Sequence, residues 1–507
     1  MEGVITKWQR LLFFAVWTLL FLPPLLIKPT LKESAYSLAS ALLLFPLARH
    51  RALLLVSGLA LALIGAANIA HASFLGSLVD EFALATIMRS ESQEADEFLA
   101  NLKTSSIVLP LLWLTASTLA TAYLWRRLPR LGRWPARWNL VWLTLSLLFW
   151  GHWLTTGLLR NYNAQAYVEQ AKHLYPTPLL LAAMRYHELA DSVFYTPTLP
   201  PAPAAPPEAQ TLVVVLGESA SSHRWSLLGY VGEDTNQALR TLPGLTVQAV
   251  LANGQNTAKA LPFLLTGQSA LNSLKHHAPS FIDLASQAGY KTFVFTNSRF
   301  FDKSEDIYTQ TLRRSANSYQ KVGNGDLDEV LTAPLAAALA DRSPRKLIVL
   351  HTYGSHPQIS KRYPALGYRG PDAYDNSIRY SSDLLAHWIG LLDAAGPDAS
   401  ALFYTSDHGL GTPPCSENYE HGLNRSTYEV PFLAWANPRF AQTQEPLPQG
   451  SAGQVEHSTT LLPTLVSQAM GYVPARDLPQ LQPSRLLQIE DRPYRELFQT
   501  SACSVED

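Results

Sequence analysis

Five apolar runs fill the first third of the chain, at residues 11–27, 36–48, 52–71, 106–125 and 138–158. Most approach the ~20 residues that a helix needs to cross a bilayer. A chain so built places this part in lipid, not in the core of a soluble protein. The second run is short and fits a re-entrant or tilted element. The first is not a cleavable signal, because no small-residue cleavage site follows it and further runs do. Basic residues set the orientation. Lys7 and Arg10 precede the first run, Arg49 and Arg51 separate the second and third, and Arg126, Arg127, Arg130, Arg133 and Arg137 fill the gap before the fifth. With five spans these segments share one side, the cytoplasmic one. Everything after about residue 159 then lies outside. A net charge of −1 with 16% charged residues leaves no nucleic-acid footprint.

Three divisions follow. Residues 1–159 read as the transmembrane domain, with an outer amphipathic helix over 72–105. On that helix Thr86, Ser90 and Glu94 recur every four residues and share one face, which spacing alone reads as solvated. Residues 160–210 hold a second amphipathic stretch and the proline-rich linker TPTLPPAPAAPPEAQ, too poor in packing residues to build a core. Residues 211–507 form the soluble half. Both cysteines, Cys415 and Cys503, fall there. They can pair if that half is exported, and no Cys/His cluster suggests a thiolate zinc site.

From residue 211 short β-rich runs alternate with amphipathic helices. The strand candidates are Leu212–Leu216, Leu245–Leu251, Thr292–Thr296, Lys346–Leu350, Ala401–Thr405 and Pro431–Ala434. The helix candidates include Lys259–Leu265, Phe281–Ala288, Leu327–Ala340, Tyr374–Asp393 and Ser458–Ala469. This alternation predicts a largely parallel α/β sheet covered on both faces. Ligands gather at the carboxyl ends of such strands. Glu218 follows one predicted strand, Asp407 and His408 follow another, and His356 lies shortly after a third.

Carboxylates and neutral imidazole suit zinc, and manganese with less specificity. Glu218, Asp407 and His408 can supply three ligands and the Thr257 hydroxyl a fourth. A metal lowers the pKa of such a hydroxyl and makes it a nucleophile toward phosphorus. The product is a phospho-threonine intermediate. His356 and His421 can bind phosphate oxygens or protonate a leaving alcohol. Each piece has a plainer reading: Asp-His-Gly is a common loop, Thr257 a helix cap before AKALPFLL, and His421 an exposed loop residue. His351 and His457 read as structural.

Order and context decide between these readings. VVVLGESASSHRWSLLGY resembles the opening motif of the membrane phosphoethanolamine transferases, in the alkaline phosphatase and sulfatase superfamily. QNTAKAL, YKTFVFTNSRF, GDLDEVL, LHTYGSHPQISKRYP, YDNSIRYSSDLL, YTSDHG and EHGLNRSTYEVPFLAW follow in the same order. The resemblance covers most of the chain. It implies an alkaline-phosphatase-like α/β/α sandwich behind a five-helix membrane domain. The enzyme would sit in a bacterial inner membrane with its catalytic domain in the periplasm. It implies Thr257 as the zinc-bound nucleophile, with Glu218, Asp407 and His408 as the other ligands and His356 and His421 on the phosphate side. Thr86, Ser90 and Glu94 match substrate-contacting positions, although members often carry Asn and Thr where this chain has Thr and Ser. The donor implied is phosphatidylethanolamine, and the acceptor lipopolysaccharide (core sugar or lipid A) or a periplasmic glycan. No cysteines flank Thr257 as in the lipid A-modifying branch, so the chain looks more like the branch acting on core sugars or glycans. Two other readings stand beside this one. A phosphoglycerol transferase using phosphatidylglycerol keeps the same machinery, and a non-catalytic membrane-anchored binding protein ranks third.

Overall fold

The computed structural model describes residues 2–27, 30–75, 78–89, 104–128, 174–191, 195–204, 209–298, 307–416, 424–443 and 455–478, with short pieces between and beyond them. The chain divides into two compact units, residues 1–88 with 98–187, and residues 89–97 with 188–507.

The first unit is helical. The run at 11–27 does not form one helix: Glu2–Leu19 ends before a turn, and Pro23–Ile27 starts a new short one. Pro23 and Pro24 lack the N–H groups that would continue the first helix. The second run forms Leu31–Leu44, capped by the Thr30 side chain, and then tightens into a 3-10 turn over Phe45–Arg49. Its 14 residues reach about 21 Å, short of the bilayer core. Among the described residues two helices are long and apolar enough to cross a membrane, Arg51–Ser73 and Ser106–Arg127. They pack closely. Trp113 donates its indole N–H to the Ala62 carbonyl at 3.1 Å. A Cβ at Gly58 or Gly65 would lie 2.5 Å from Thr121 or 2.2 Å from Trp113, so small residues permit the approach. Apart from Val141, Thr144 and Leu148, the fifth run, 138–158, lies outside the described residues.

The second unit is built on seven strands: β1 (Thr211–Gly217), β2 (Leu245–Leu251), β3 (Lys291–Thr296), β4 (Ser318–Lys321), β5 (Lys346–His351), β6 (Ser400–Ser406) and β7 (Glu429–Ala436). Their order across the sheet is β2-β7-β6-β1-β5-β3-β4. The five from β6 to β4 are parallel, and β7 runs antiparallel to both β6 and β2. All six predicted strands are present. β4 is additional: SYQK carries no apolar pattern, and only its pairing with β3 makes it a strand.

Side chains alternate across the sheet. Val213, Val215, Ile348, Leu350, Leu402 and Tyr404 form one face, packed with Ile378, Leu385 and Trp388 of the Ala373–Ala394 helix and with Leu335 of Thr332–Leu339. Helices Phe281–Gln287 and Leu461–Ala469 pack on the other side against β3 and β6. The layers are therefore helix, sheet, helix. The described part of the proline-rich segment, through residue 204, holds no helix or strand, but it is fastened. Thr198 donates its N–H to the His277 carbonyl at 2.7 Å, and Gln287 donates to the Pro200 carbonyl at 2.8 Å.

One buried ion pair anchors this side. Asp283 closes a capping box with Ser280 and accepts Arg314 from both Nε and Nη2, with its side chain 1% exposed. Asp283→Ala strands that guanidinium and should cost ~3–5 kcal/mol. Denaturant unfolding of the full chain in detergent checks this, and a loss under ~1 kcal/mol contradicts it.

Candidate active site

The carboxyl ends of β1, β5 and β6 lie side by side, with Leu216 opposite both His351 and Thr405. β2 points the same way, because two antiparallel pairings separate it from β6. The loops after all four strands therefore leave one edge of the sheet. They carry Glu218, Thr257, His356, Asp407 and His408.

Glu218, Asp407 and His408 converge, with one ligand atom from each lying within 4.8 Å of the others. His408 Nε2 is 3.4 Å from Glu218 Oε1 and 3.5 Å from Asp407 Oδ2. Its Nδ1 lies 2.9 Å from the Gly409 carbonyl. That carbonyl can only accept, which keeps a proton on Nδ1 and turns Nε2 inward. Thr257 donates its hydroxyl to Glu218 Oε2 at 3.0 Å, and Thr257 Oγ1 is 3.5 Å from His408 Nε2.

Thr257 is not the helix cap. Asn256, in extended conformation, takes that role by accepting the Lys259 N–H at 3.0 Å. Thr257 is the first helical residue, so its hydroxyl is released to face Glu218.

The charges fit a cation. Burial alone would raise the Glu218 carboxyl, but hydrogen bonding to His408 and its charge hold it well below the usual range. Burial and the Glu218 charge push Asp407 up to about 7. Burial opposes charge on His408, yet the two carboxylates raise it to about 9. The buried Asp407 Oδ2 has no hydrogen-bond partner among the described residues. A buried oxygen left this way, inside a set of two carboxylates and an inward imidazole nitrogen, fits a divalent metal ligand.

Neighbouring residues hold the set in place. Ser219 sits at φ 58, a left-handed conformation unusual for serine. It is held there by its N–H to Asp407 Oδ1 at 3.2 Å, its hydroxyl to Glu218 Oε1 at 2.7 Å, and its carbonyl accepting Tyr374 O–H at 2.6 Å. Ser406 links the Ala220 N–H to the His408 carbonyl. Gly354 lies against the Glu218 backbone, where a Cβ would come within 2.4 Å of its carbonyl oxygen. Sequence reading did not find Ser219, Tyr374 or Ser406. They act through backbone groups, and only the motifs around them hinted at a role.

His356 follows β5, and burial lowers it to about 4. His421 is lowered to about 3 by burial and by the His408 charge. Its Nδ1 is 3.0 Å from the Gln255 carbonyl, and its ring centre is 4.8 Å from that of His408. Both are neutral imidazoles at physiological pH. His351 is buried against Thr296, its Nδ1 3.1 Å from the hydroxyl. His457 gives its carbonyl to the Leu251 N–H, before the helix that starts at Leu461. Thr86 lies on the Glu81–Arg89 helix, while Ser90 and Glu94 lie outside the described residues. Cys415 is disulfide-bonded, and Cys503 lies outside the described residues.

The sulfatase family model matches residues 210–472. Phosphoethanolamine transferase EptC of Escherichia coli is 32% identical over 269 residues, 46% of each chain. Phosphoethanolamine transferase CptA of Salmonella typhimurium is 28% identical over 446 residues, 78% of this chain and 76% of that one. The chain spans under half the length of the Escherichia coli relatives it matches, 43% and 46%. Among solved structures, the integral membrane lipooligosaccharide phosphoethanolamine transferase A of Neisseria meningitidis superposes with a TM-score of 0.56. It covers 91% of this chain and 97% of its own at 16% identity, a likeness of fold.

Proposed function

This chain belongs to the sulfatase family, and from that premise and its site we propose that it is a metal-dependent phosphoethanolamine transferase with Thr257 as nucleophile. The observation that carries this reading is the Thr257 hydroxyl, 3.0 Å from Glu218 Oε2 at the edge of the triad.

Glu218, Asp407 and His408 would hold the metal, with zinc the first choice for this donor set and manganese the second. Bound there, a divalent ion supplies charge neutralisation and a lowered pKa for the nearby hydroxyl. The chain's own residues do the rest. Thr257 Oγ1 gives up its proton and bonds to phosphorus of phosphatidylethanolamine. The bond from phosphorus to the glycerol oxygen breaks, and that oxygen takes a proton and leaves as diacylglycerol. A hydroxyl of the acceptor then attacks phosphorus, and Thr257 is released. His356 and His421, kept neutral by burial, are suited to bond phosphate oxygens and pass protons rather than to add fixed charge.

The setting we propose is a bacterial inner membrane. Residues 1–159 would form the membrane domain with five spans, 160–210 the connection, and 211–507 the periplasmic catalytic domain. Two membrane-length helices support the anchor. A disulfide at Cys415 suits an oxidising compartment. Relatives named phosphoethanolamine transferases support the transferred group. Thr86, Ser90 and Glu94 would contact the lipid headgroup. The acceptor class is lipopolysaccharide, at a core sugar or lipid A, or a periplasmic glycan.

Mass spectrometry of lipopolysaccharide and glycans from cells with and without the gene tests this. The expected result is a gene-dependent gain of one phosphoethanolamine group on one acceptor. A gain of glycerol phosphate would replace the reading with phosphoglycerol transfer, and no gain of either would reject both.

A further inference from the structure

Arg362 is 4% exposed, and nothing in the transfer chemistry above uses it. A buried guanidinium needs strong compensation. Its Nη1 donates to the Gly325 carbonyl at 2.8 Å, and its Cζ lies 4.5 Å from the centre of the Tyr353 ring. The same ring carries His356, stacked at 4.5 Å with an interplanar angle of 18°. Tyr353 is in turn pinned from below. Asp328 accepts the N–H groups of Tyr353 at 2.7 Å and Gly354 at 2.8 Å, together with Asn297 Nδ2 at 2.8 Å. Ser355 ties the loop to the Glu218 carbonyl at 2.9 Å.

The chain goes out of its way to make this contact. After His356 it reverses at Gln358, φ 63, and makes a single 3-10 turn over Ile359–Lys361, closed by the Arg362 N–H on the Ile359 carbonyl. A left-handed non-glycine residue and a buried cation are each unfavourable. Finding both beside the site points to a role in its chemistry.

We propose that Arg362 and Tyr353 are positioning residues for the transfer reaction. Guanidinium, phenol ring and imidazole form one stacked assembly that fixes the angle at which His356 meets the phosphoryl group. Planar stacking of this kind is something arginine does and lysine does not. A histidine that must donate along one direction loses most of its effect when tilted. The inference rests on the transferase reading, which supplies the phosphoryl group.

The test uses the purified full-length protein in detergent and phosphatidylethanolamine labelled on an acyl chain, following release of labelled diacylglycerol. Arg362→Met and Tyr353→Leu should each lower kcat by about 10²-fold while leaving KM within about threefold and metal content unchanged. Arg362→Lys should recover part of the rate, through its charge alone. In a His356→Ala background neither substitution should lower the rate more than about twofold further, because the group they position is gone. The proposal is overturned if the full loss repeats in that background, or if either single variant stays within about twofold of wild type. Should Arg362→Met fail to fold, Tyr353→Leu and Arg362→Lys carry the same comparison. Wild-type protein that releases no diacylglycerol would overturn the transferase reading as well; active wild type with active variants overturns this inference alone.

Discussion

Thr257→Ala is expected to remove transfer altogether, by about 10⁴-fold or more, while leaving the protein folded. The loss is large because no other described hydroxyl holds the same place. Ser219 Oγ also reaches Glu218, at 2.7 Å, but it bonds Oε1 while Thr257 bonds Oε2. Folding should be spared because Asn256, not Thr257, caps the helix, so stability should move by no more than ~0.5 kcal/mol. Thr257→Ser keeps the oxygen and should retain measurable activity. Mass spectrometry of the wild-type protein after a short exposure to phosphatidylethanolamine should find the phosphoethanolamine adduct on the peptide containing Thr257. An active Thr257→Ala protein, or an adduct on another residue, would dispose of the nucleophile assignment.

Stripping the metal is expected to have an effect of similar size. Chelator-treated protein should lose transfer by about 10³-fold or more and regain it with zinc, less fully with manganese. Stability should respond too. A ligand that binds only the folded state at 1,000 times its dissociation constant adds ~4 kcal/mol. The unfolding midpoint should therefore rise with zinc in wild type and not in Glu218→Gln, which keeps the shape but removes one charge from the triad. The physical reason lies in the charges of the site. Burial and the neighbouring Glu218 charge push Asp407 up, while the two carboxylates raise His408 to about 9. Full activity after exhaustive chelation, with no metal bound, would end the metal proposal.

Much of the catalytic unit was legible in the sequence because its sheet is buried on both faces. Strands such as LVVVL and KLIVL have no polar side to confuse the pattern, and their carboxyl ends are known ligand sites. Glu218, Asp407 and His408 were found that way. Thr257 was legible as a fourth ligand and nucleophile, with a helix cap as its plainer alternative; Asn256, in extended conformation, takes the cap instead. β4 was invisible because SYQK is polar, and an edge strand is defined by its neighbour. The helical unit was legible as apolar runs, but their lengths misled where Pro23 and Pro24 cut one run in two. Arg362 lay within a quoted motif, and nothing in its spacing announced that it would fold back onto the ring beneath His356.

The sequence by itself determined which residue types were available, the alternation of strands and helices, and the presence of helices apolar enough for lipid. These are local properties, set by side-chain polarity and backbone preference over a few neighbouring positions. Only the tertiary structure decided which oxygen of Glu218 meets Thr257, which nitrogen of His408 turns inward, that Asp407 keeps one oxygen without a partner, and that Ser219 is held in a left-handed turn. Those facts depend on groups up to 188 positions apart, as from Ser219 to Asp407. They arise where parallel strands end together and the packing of the sheet leaves no other place for their loops to go.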